Sequence, residues 1–139
     1  MRTSELQGDA LNWAVAQVEK LPVEKSRGGW LVFDSHDDGT LHWSDFDNDN
    51  RWQKFDPSND WAQGGVIIEK ENISIEYMAG AGDAGVDVWV ATMTFPDKKF
   101  GGVAFSEEEG PTPLIAAMRC YVASELGDEV EVPDELHTV

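Results

Sequence analysis

Arg119 is the residue of this sequence whose type and position point most directly to ligand binding. It is the only Lys or Arg after Lys99, and it lies about 40° from Ile115 on the apolar face of a predicted C-terminal helix. A solvent-seeking charge is unexpected there, so something must neutralise it. One interpretation is an internal ion pair with an acid such as Asp60 or Glu69, or a side chain that snorkels past the core edge. The other is that Arg119 holds the phosphate or carboxylate of a ligand, helped by the free amides at the helix start next to Thr112.

The tryptophans are the second feature with chemical consequences, because six of them occur in 139 residues. Core packing explains those that lie in regular apolar patterns, namely Trp13, Trp30 and Trp89. Three others lie beside acids and glycines, where an indole face can stack on a base or anchor a protein interface. We therefore predict a ligand-binding set that consists of Arg119, Trp61, Thr112, Trp43 and Trp52.

Patterns typical of metal binding and catalysis are weak. Residues 34–45 place acids at several positions of a calcium loop, but His36 takes the third position and Asp45 takes the last, where a bidentate Glu belongs. The three histidines have no zinc spacing, and Cys120 is the one cysteine. The Gly-rich stretch 80–85 leads into a strand, whereas a dinucleotide-binding loop leads into a helix. We expect no metal, no cofactor and no catalytic residue, and hence no enzyme.

The balance of charge is strongly acidic, with 27 Asp and Glu against 10 Lys and Arg and a formal charge of −17. Acids concentrate at residues 45–49 and 107–109, where they either keep the protein soluble or act as a decoy for a basic surface. Such a charge repels phosphate backbones, so direct nucleic-acid binding is not expected. The start of the chain lacks the layout of a signal peptide, and no apolar run approaches about 18 residues, so we expect a cytoplasmic protein without a membrane segment.

The N-terminal half predicts two helical segments and a hairpin. Ser4 and Gln7 fit a capping box, and apolar residues at helical spacing follow as far as Leu21. A β-hairpin is predicted between residues 30–33 and 41–43. Residues 57–63 begin like a helix, and the glycines at 64 and 65 are predicted to stop it before the apolar run 66–68. A hydrophobic share of 41% in one chain of this length favours a single domain over residues 1–139.

The C-terminal half predicts an antiparallel sheet and the clearest helix of the chain. Strands are expected at 73–77, 86–95 and 101–105, and the long middle strand is apolar on both faces, which is typical of a central strand covered above and below. The helix at 113–126 has Thr112 as its cap and Gly127 as its stop. The tail from residue 128 is judged too polar for the core. The fold class that follows is α+β, an antiparallel β-sheet flanked by an N-terminal and a C-terminal α-helix.

Three stretches together make the sequence resemble the NinX family of tailed bacteriophages, a domain without assigned function. They read TSEL with LNWAVA at residues 3–16, PSNDWAQGG at 57–65 and GPTPLIAAMRC at 110–120, and GDEVEVP at 127–133 extends the match. The acidic segment 34–56 departs from the family pattern, and residues 66–109 follow it less closely. The stretches at 57–65 and 110–120 are also similar, more distantly, to phage domains described as α-β-α sandwiches. The resemblance implies a phage accessory protein in the cytoplasm of a bacterial host, with helices on both faces of the sheet and no catalytic residues.

Two functions are compatible with these features. The first is a non-enzymatic counter-defence protein that binds and sequesters a nucleotide-derived signal of the host immune system, with Arg119 and the tryptophans as its site. The alternative is an acidic interaction protein that docks on a host defence enzyme, either as a mimic of nucleic acid or as a lock on an immune signalling complex. The negative charge opposes a polyanionic ligand at long range and favours a basic partner. A homo-oligomer is possible in either case.

Overall fold

The computed structural model describes residues 1–21, 23–26, 29–32 and 55–136. A short 3₁₀ turn at Thr3–Glu5 precedes the first helix, and further 3₁₀ turns lie at Asp83–Gly85 and Asp134–Leu136. The longer elements are, in chain order, α1 (Gly8–Val18), β1 (Val23–Ser26), β2 (Gly29–Val32), α2 (Trp61–Glu71), β3 (Ser74–Met78), β4 (Val88–Pro96), β5 (Val103–Gly110) and α3 (Pro113–Leu126). This is the predicted α+β class.

The principal sheet is antiparallel and has the order β3-β4-β5, so the long middle strand is central, as predicted. Side chains alternate between its two faces. Ala91 and Met93 point to the inner face and are buried. On the opposite face, which we call the outer sheet face, the flanking strands expose Met78, Val103 and Phe105.

Helix α3 covers the inner face and is the centre of the core. Its residues 114–122 are all buried, and it contacts all three strands of the sheet. The predicted caps are confirmed, since the Thr112 hydroxyl accepts from the Ile115 amide at 3.1 Å and Gly127 ends the helix with φ +81°. Helices α1 and α2 both pack on α3, so the N-terminal and C-terminal helices flank the sheet. Within the described residues the outer sheet face is largely open, which differs from the expected cover on both sides.

The predicted capping box at the N-terminus is wrong. Ser4 lies inside the 3₁₀ turn, and α1 begins at Gly8 after an extended Gln7 that makes no side-chain cap. The reason is tertiary: the Thr3 amide donates to Asp128 O at 2.8 Å, and the Thr3 hydroxyl donates to Gly127 O at 2.6 Å. These bonds hold the segment away from the helix.

The predicted end of the second helical segment is also wrong, because α2 continues through Gly64 and Gly65 to Glu71. Asp60 caps its start by accepting from the Ala62 amide at 2.9 Å, and Asn72 ends it in the left-handed region at φ +54°. Gly64 is buried in the helix, and a Cβ at this position would overlap the Pro57 carbonyl oxygen and lie 2.6 Å from Leu114 Cδ2. The glycine therefore allows a close contact between helices, and it does not break one.

One further pair of expectations is not tested by the described residues, and another expectation is wrong. Strand β2 pairs with β1, whereas the predicted partner strand at 41–43 lies outside the described residues, as does the calcium-like segment 34–45. The C-terminal tail is not excluded from the core, since Val130, Val132 and Leu136 are buried. Val130 also exchanges backbone hydrogen bonds with Met1, each 2.8 Å long. The tail's few apolar residues are therefore sufficient to anchor it.

Candidate functional site

A cleft of about 710 Å³ lies where the second half of β5 meets the N-terminal 3₁₀ turn and the loop between β3 and β4. Gly110, the last residue of β5, lets the strand approach α3 closely, because a Cβ there would lie 2.6 Å from the Ala116 amide nitrogen. Arg119 follows on α3 and lines the cleft together with Ser4, Pro111 and Val88. The cleft is thus assembled from segments that are distant in sequence.

Arg119 is only 8% exposed, and two of its nitrogens donate to backbone carbonyls. Nε binds Leu6 O at 2.7 Å, and Nη1 binds Glu109 O at 2.8 Å. Burial lowers the pKa of Arg119, while the nearby carboxylates of Glu108 and Glu5 raise it. An arginine remains charged in this setting, because its ordinary pKa lies above 12.

The predicted ion pair of Arg119 with Asp60 or Glu69 does not form. Asp60 instead caps α2 and accepts from the Gln63 side chain at 2.9 Å. Within the described residues the guanidinium forms no ion pair within 4.0 Å, and Nη2 makes no hydrogen bond. Arg119 is therefore a buried cation held by carbonyl dipoles, and part of its donor capacity is unused.

The rest of the cleft is acidic. Burial raises the pKa of Glu108, with a further rise from the Asp128 carboxylate, and Arg119 lowers it. The pKa of Asp87 is lowered because the Tyr77 hydroxyl and the Gly80 amide donate to its carboxylate. Against one arginine the residues that line the cleft include six acids, namely Glu5, Asp83, Asp87, Glu107, Glu108 and Glu109. A cationic group is therefore better matched to this cleft than a polyanion.

Of the predicted site residues that the structure describes, only Arg119 lines the cleft. Arg119 lines the cleft, whereas Thr112 uses its hydroxyl as the cap of α3 and is absent from the cleft lining. Trp61 begins α2 with 55% of its surface exposed, also away from the cleft lining. Trp43 and Trp52 lie outside the described residues. Aromatic stacking on a ligand held by Arg119 would therefore need another side chain than Trp61.

A second pocket, of about 360 Å³, lies on the outer sheet face and was missed by the sequence analysis. We call it the hydroxyl pocket, because Ser74, Thr92 and Thr94 line it together with Asn72, Met93 and Phe105. Its residues come from three strands and a helix end, so only the pairing register brings them together. Exposed and half-buried residues alternate along Val103–Gly110 in the structure, but the sequence of this strand has no matching alternation of apolar and polar residues that would have indicated this face.

Other reactive groups are engaged in the core or are not clustered. Burial raises the pKa of the Cys120 thiol to about 11, and its Sγ donates to Ser106 O at 3.3 Å. A neutral buried thiol is a poor nucleophile. In the described part of the chain, no three His, Cys, Asp or Glu side chains are grouped to hold a metal ion, and none of the helices is long and apolar enough to cross a membrane.

Comparison with known proteins adds one match to this geometry. A family model described as "Bacteriophage P22, NinX" matches residues 2–125, which is most of the chain and includes every residue of the acidic cleft. The comparison with curated proteins gives no match.

Proposed function

This chain belongs to the bacteriophage P22 NinX family, and on that premise we propose that it is a non-enzymatic phage protein that docks on a basic surface of a host defence protein. It acts in the cytoplasm of the bacterial host and inhibits its target by occupying that surface. The observation that carries the proposal is the lining of the 710 Å³ cleft, which includes six acidic residues and one buried arginine. A lysine or arginine of a partner protein fits this excess of negative charge.

The negative charge of the protein supports this proposal, because it would increase the rate and the specificity of association with a basic partner. Surface ion pairs contribute little affinity individually, but a large field of one sign steers a partner of opposite sign into place. The chain carries a formal charge of −17, and Glu107 and Glu109 continue the acidic surface from the cleft onto the outer sheet face. A basic partner would therefore meet one continuous acidic surface. A partner that normally binds nucleic acid has this property.

Capture of a partner should weaken steeply with salt, because exposed charges are screened beyond about 8 Å at physiological ionic strength. The experiment is a pulldown from host lysate at about 50 mM and about 500 mM salt. The variant E107Q/E108Q/E109Q should lose the partner even at low salt. A matched control, E69Q/E125Q/E131Q, removes the same charge from scattered exposed positions and should keep it. Equal retention by wild type at both salt concentrations, or equal loss in both variants, would contradict docking through the cleft.

Sequestration of a nucleotide-derived signal is the second candidate, and the unused donors of Arg119 are the observation that favours it. A guanidinium that has no carboxylate partner can bind a phosphate or carboxylate in a bidentate manner. The buried position of Arg119 at the cleft wall would exclude water from such a bond. The surrounding carboxylates oppose it, which is why this candidate ranks second.

The same triple variant separates the two candidates by the sign of its effect. Protein exposed to extracts of bacteria with active nucleotide-signalling defences is washed and denatured, and the released molecules are identified by mass spectrometry. Sequestration requires wild type to release an intact nucleotide derivative and E107Q/E108Q/E109Q to retain more of it, because repulsion of the anion is reduced. Absence of any released nucleotide derivative would exclude sequestration under these conditions and leave docking as the function.

A further inference from the structure

The hydroxyl pocket has walls of three different chemical kinds. Ser74 and Thr92 are paired across β3 and β4, and Thr94 follows on the same face of β4. Phe105 is paired with Thr94 across β4 and β5 and leaves 67% of its surface exposed. The pocket therefore offers hydroxyl acceptors on its floor and an aromatic ring on one side.

A carboxylate stands at the edge of this pocket. Glu107 is directly opposite Thr92 in the β4–β5 register, and side chains in such pairs are about 5 Å apart at Cβ. Glu107 is exposed and points to the same face as Phe105, because the two residues are separated by two positions on one strand. Glu76 adds a second carboxylate on this face, two residues after Ser74. The face presents negative charge next to an exposed ring.

We propose that the hydroxyl pocket holds an arginine side chain of a protein partner. The guanidinium stacks on the Phe105 ring, pairs with the Glu107 carboxylate and donates to the Ser74 and Thr92 hydroxyls. This inference rests on the docking function proposed above and adds a defined contact point to it, on the outer sheet face, which adjoins the Arg119 cleft at Glu107.

Arginine fits these walls better than the other occupants. Its planar guanidinium has an apolar face for the ring and several edge donors for oxygen acceptors, whereas the lysine ammonium is compact and strongly hydrated. An apolar side chain would leave the three hydroxyls without partners. A second copy of this chain would bring another charge of −17 against Glu76 and Glu107. The charge of the face therefore selects a basic partner.

The test uses the full chain and a blocked tripeptide, acetyl-Gly-Arg-Gly-amide, titrated while backbone amides are followed by NMR. Saturable shifts are expected at Ser74, Thr92 and Phe105. The citrulline tripeptide is nearly isosteric but uncharged and should give no saturable shifts. F105L keeps apolar bulk without the ring face, and E107Q keeps shape without charge, so each should weaken binding about two- to fivefold. The matched controls F100L and E131Q change the same residue types outside the pocket and should bind like wild type.

Several outcomes would overturn the inference. They are equal binding of the citrulline tripeptide, shifts confined to the Arg119 cleft, no saturable shift at all, or unchanged affinity in both pocket variants. If the protein dimerises and dimerisation itself shifts these amides, the outer sheet face is an interface between two copies of the chain. A lower melting temperature of free F105L or E107Q, relative to the controls, would mean that the chain itself occupies the face. Phe105 lines the hydroxyl pocket but not the cleft, so if F105L leaves salt-dependent capture of the partner unchanged, the pocket inference fails while docking stands. If capture shows no salt dependence but the arginine tripeptide still binds the pocket, the docking function fails instead.

Discussion

Replacing Gly64 by Ala is expected to lower the free energy of unfolding by about 3 kcal/mol, although the residue lies within a helix. A Cβ at this position would overlap the Pro57 carbonyl oxygen and approach Leu114 Cδ2 to 2.6 Å. The leucine side chain can move, but the carbonyl belongs to the backbone that leads into α2. The helix must therefore shift away from α3, and burial between them is lost.

The neighbouring glycine provides a matched control in the same helix. A Cβ at Gly65 would meet Trp61 Cε3 at 3.7 Å, which is an ordinary contact. Gly65→Ala should therefore raise the free energy of unfolding by about 0.5 to 1 kcal/mol, since alanine is the better helix former. Urea unfolding of both variants measures the difference. Similar stabilities for the two would show that the contact of α2 with Pro57 and Leu114 is looser than described.

Arg119→Met is expected to cost about 3 kcal/mol of stability. The change keeps much of the side-chain volume but removes the donors that bind Leu6 O and Glu109 O. Hydrogen bonds from a charged donor contribute about 1.5 to 3 kcal/mol each, and the loss leaves carbonyls in a buried setting without partners. The variant should unfold at lower urea concentration with an unchanged slope, because the surface exposed on unfolding stays similar.

An exposed arginine offers the comparison for this change. Arg2 lies on the surface of the N-terminal segment, and Arg2→Met should alter stability by less than about 0.5 kcal/mol. Arg119→Lys should fall between methionine and wild type, because an ammonium keeps the charge but lacks the rigid fork. If Arg119→Met proves as stable as wild type, the guanidinium does not stabilise the fold, and its hydrogen-bond donors would favour ligand binding.

The elements whose signals are local could be predicted from the sequence. Helix α3 carries its cap, its first-turn proline and its terminal glycine within its own residues, and its observed bounds are the predicted ones. Strand β4 was identified as central from its apolar residues, and its pairing with β3 and β5 confirms this. Both elements are determined mainly by neighbours in the chain.

The elements that depend on distant contacts could not be predicted. The glycines of α2 predict a helix stop. In the structure Gly64 instead allows a close approach to Pro57 and Leu114, and this contact cannot be recognised in the sequence. The capping box failed for the same reason, since Thr3 is held by the backbone of residues 127 and 128. A conformation that is predicted from local sequence is not adopted where a tertiary contact stabilises a different conformation.

The same distinction between local sequence signals and distant contacts applies to the candidate site. Helical geometry was sufficient to place Arg119 on the buried face of α3, but its partners are backbone carbonyls, which no side-chain pattern can reveal. The hydroxyl pocket was missed because Ser74, Thr92 and Phe105 are brought together only by strand register.

The pairing of the first and last segments has a consequence for how the chain acquires its structure during synthesis. Met1 and Thr3 bond with residues 127–130, so the side-chain and terminal-amine bonds they form reach partners 124 and 129 residues later in the chain. Closing so long a loop is slow, and it cannot be replaced by local helix formation. The Leu6 carbonyl oxygen accepts a hydrogen bond from Arg119 Nε, and this bond also cannot form before α3 has been synthesised. During synthesis Met1 and Thr3 therefore lack these contacts until residues 127–130 have left the ribosome, and the wall of the acidic cleft closes only after α3 has formed.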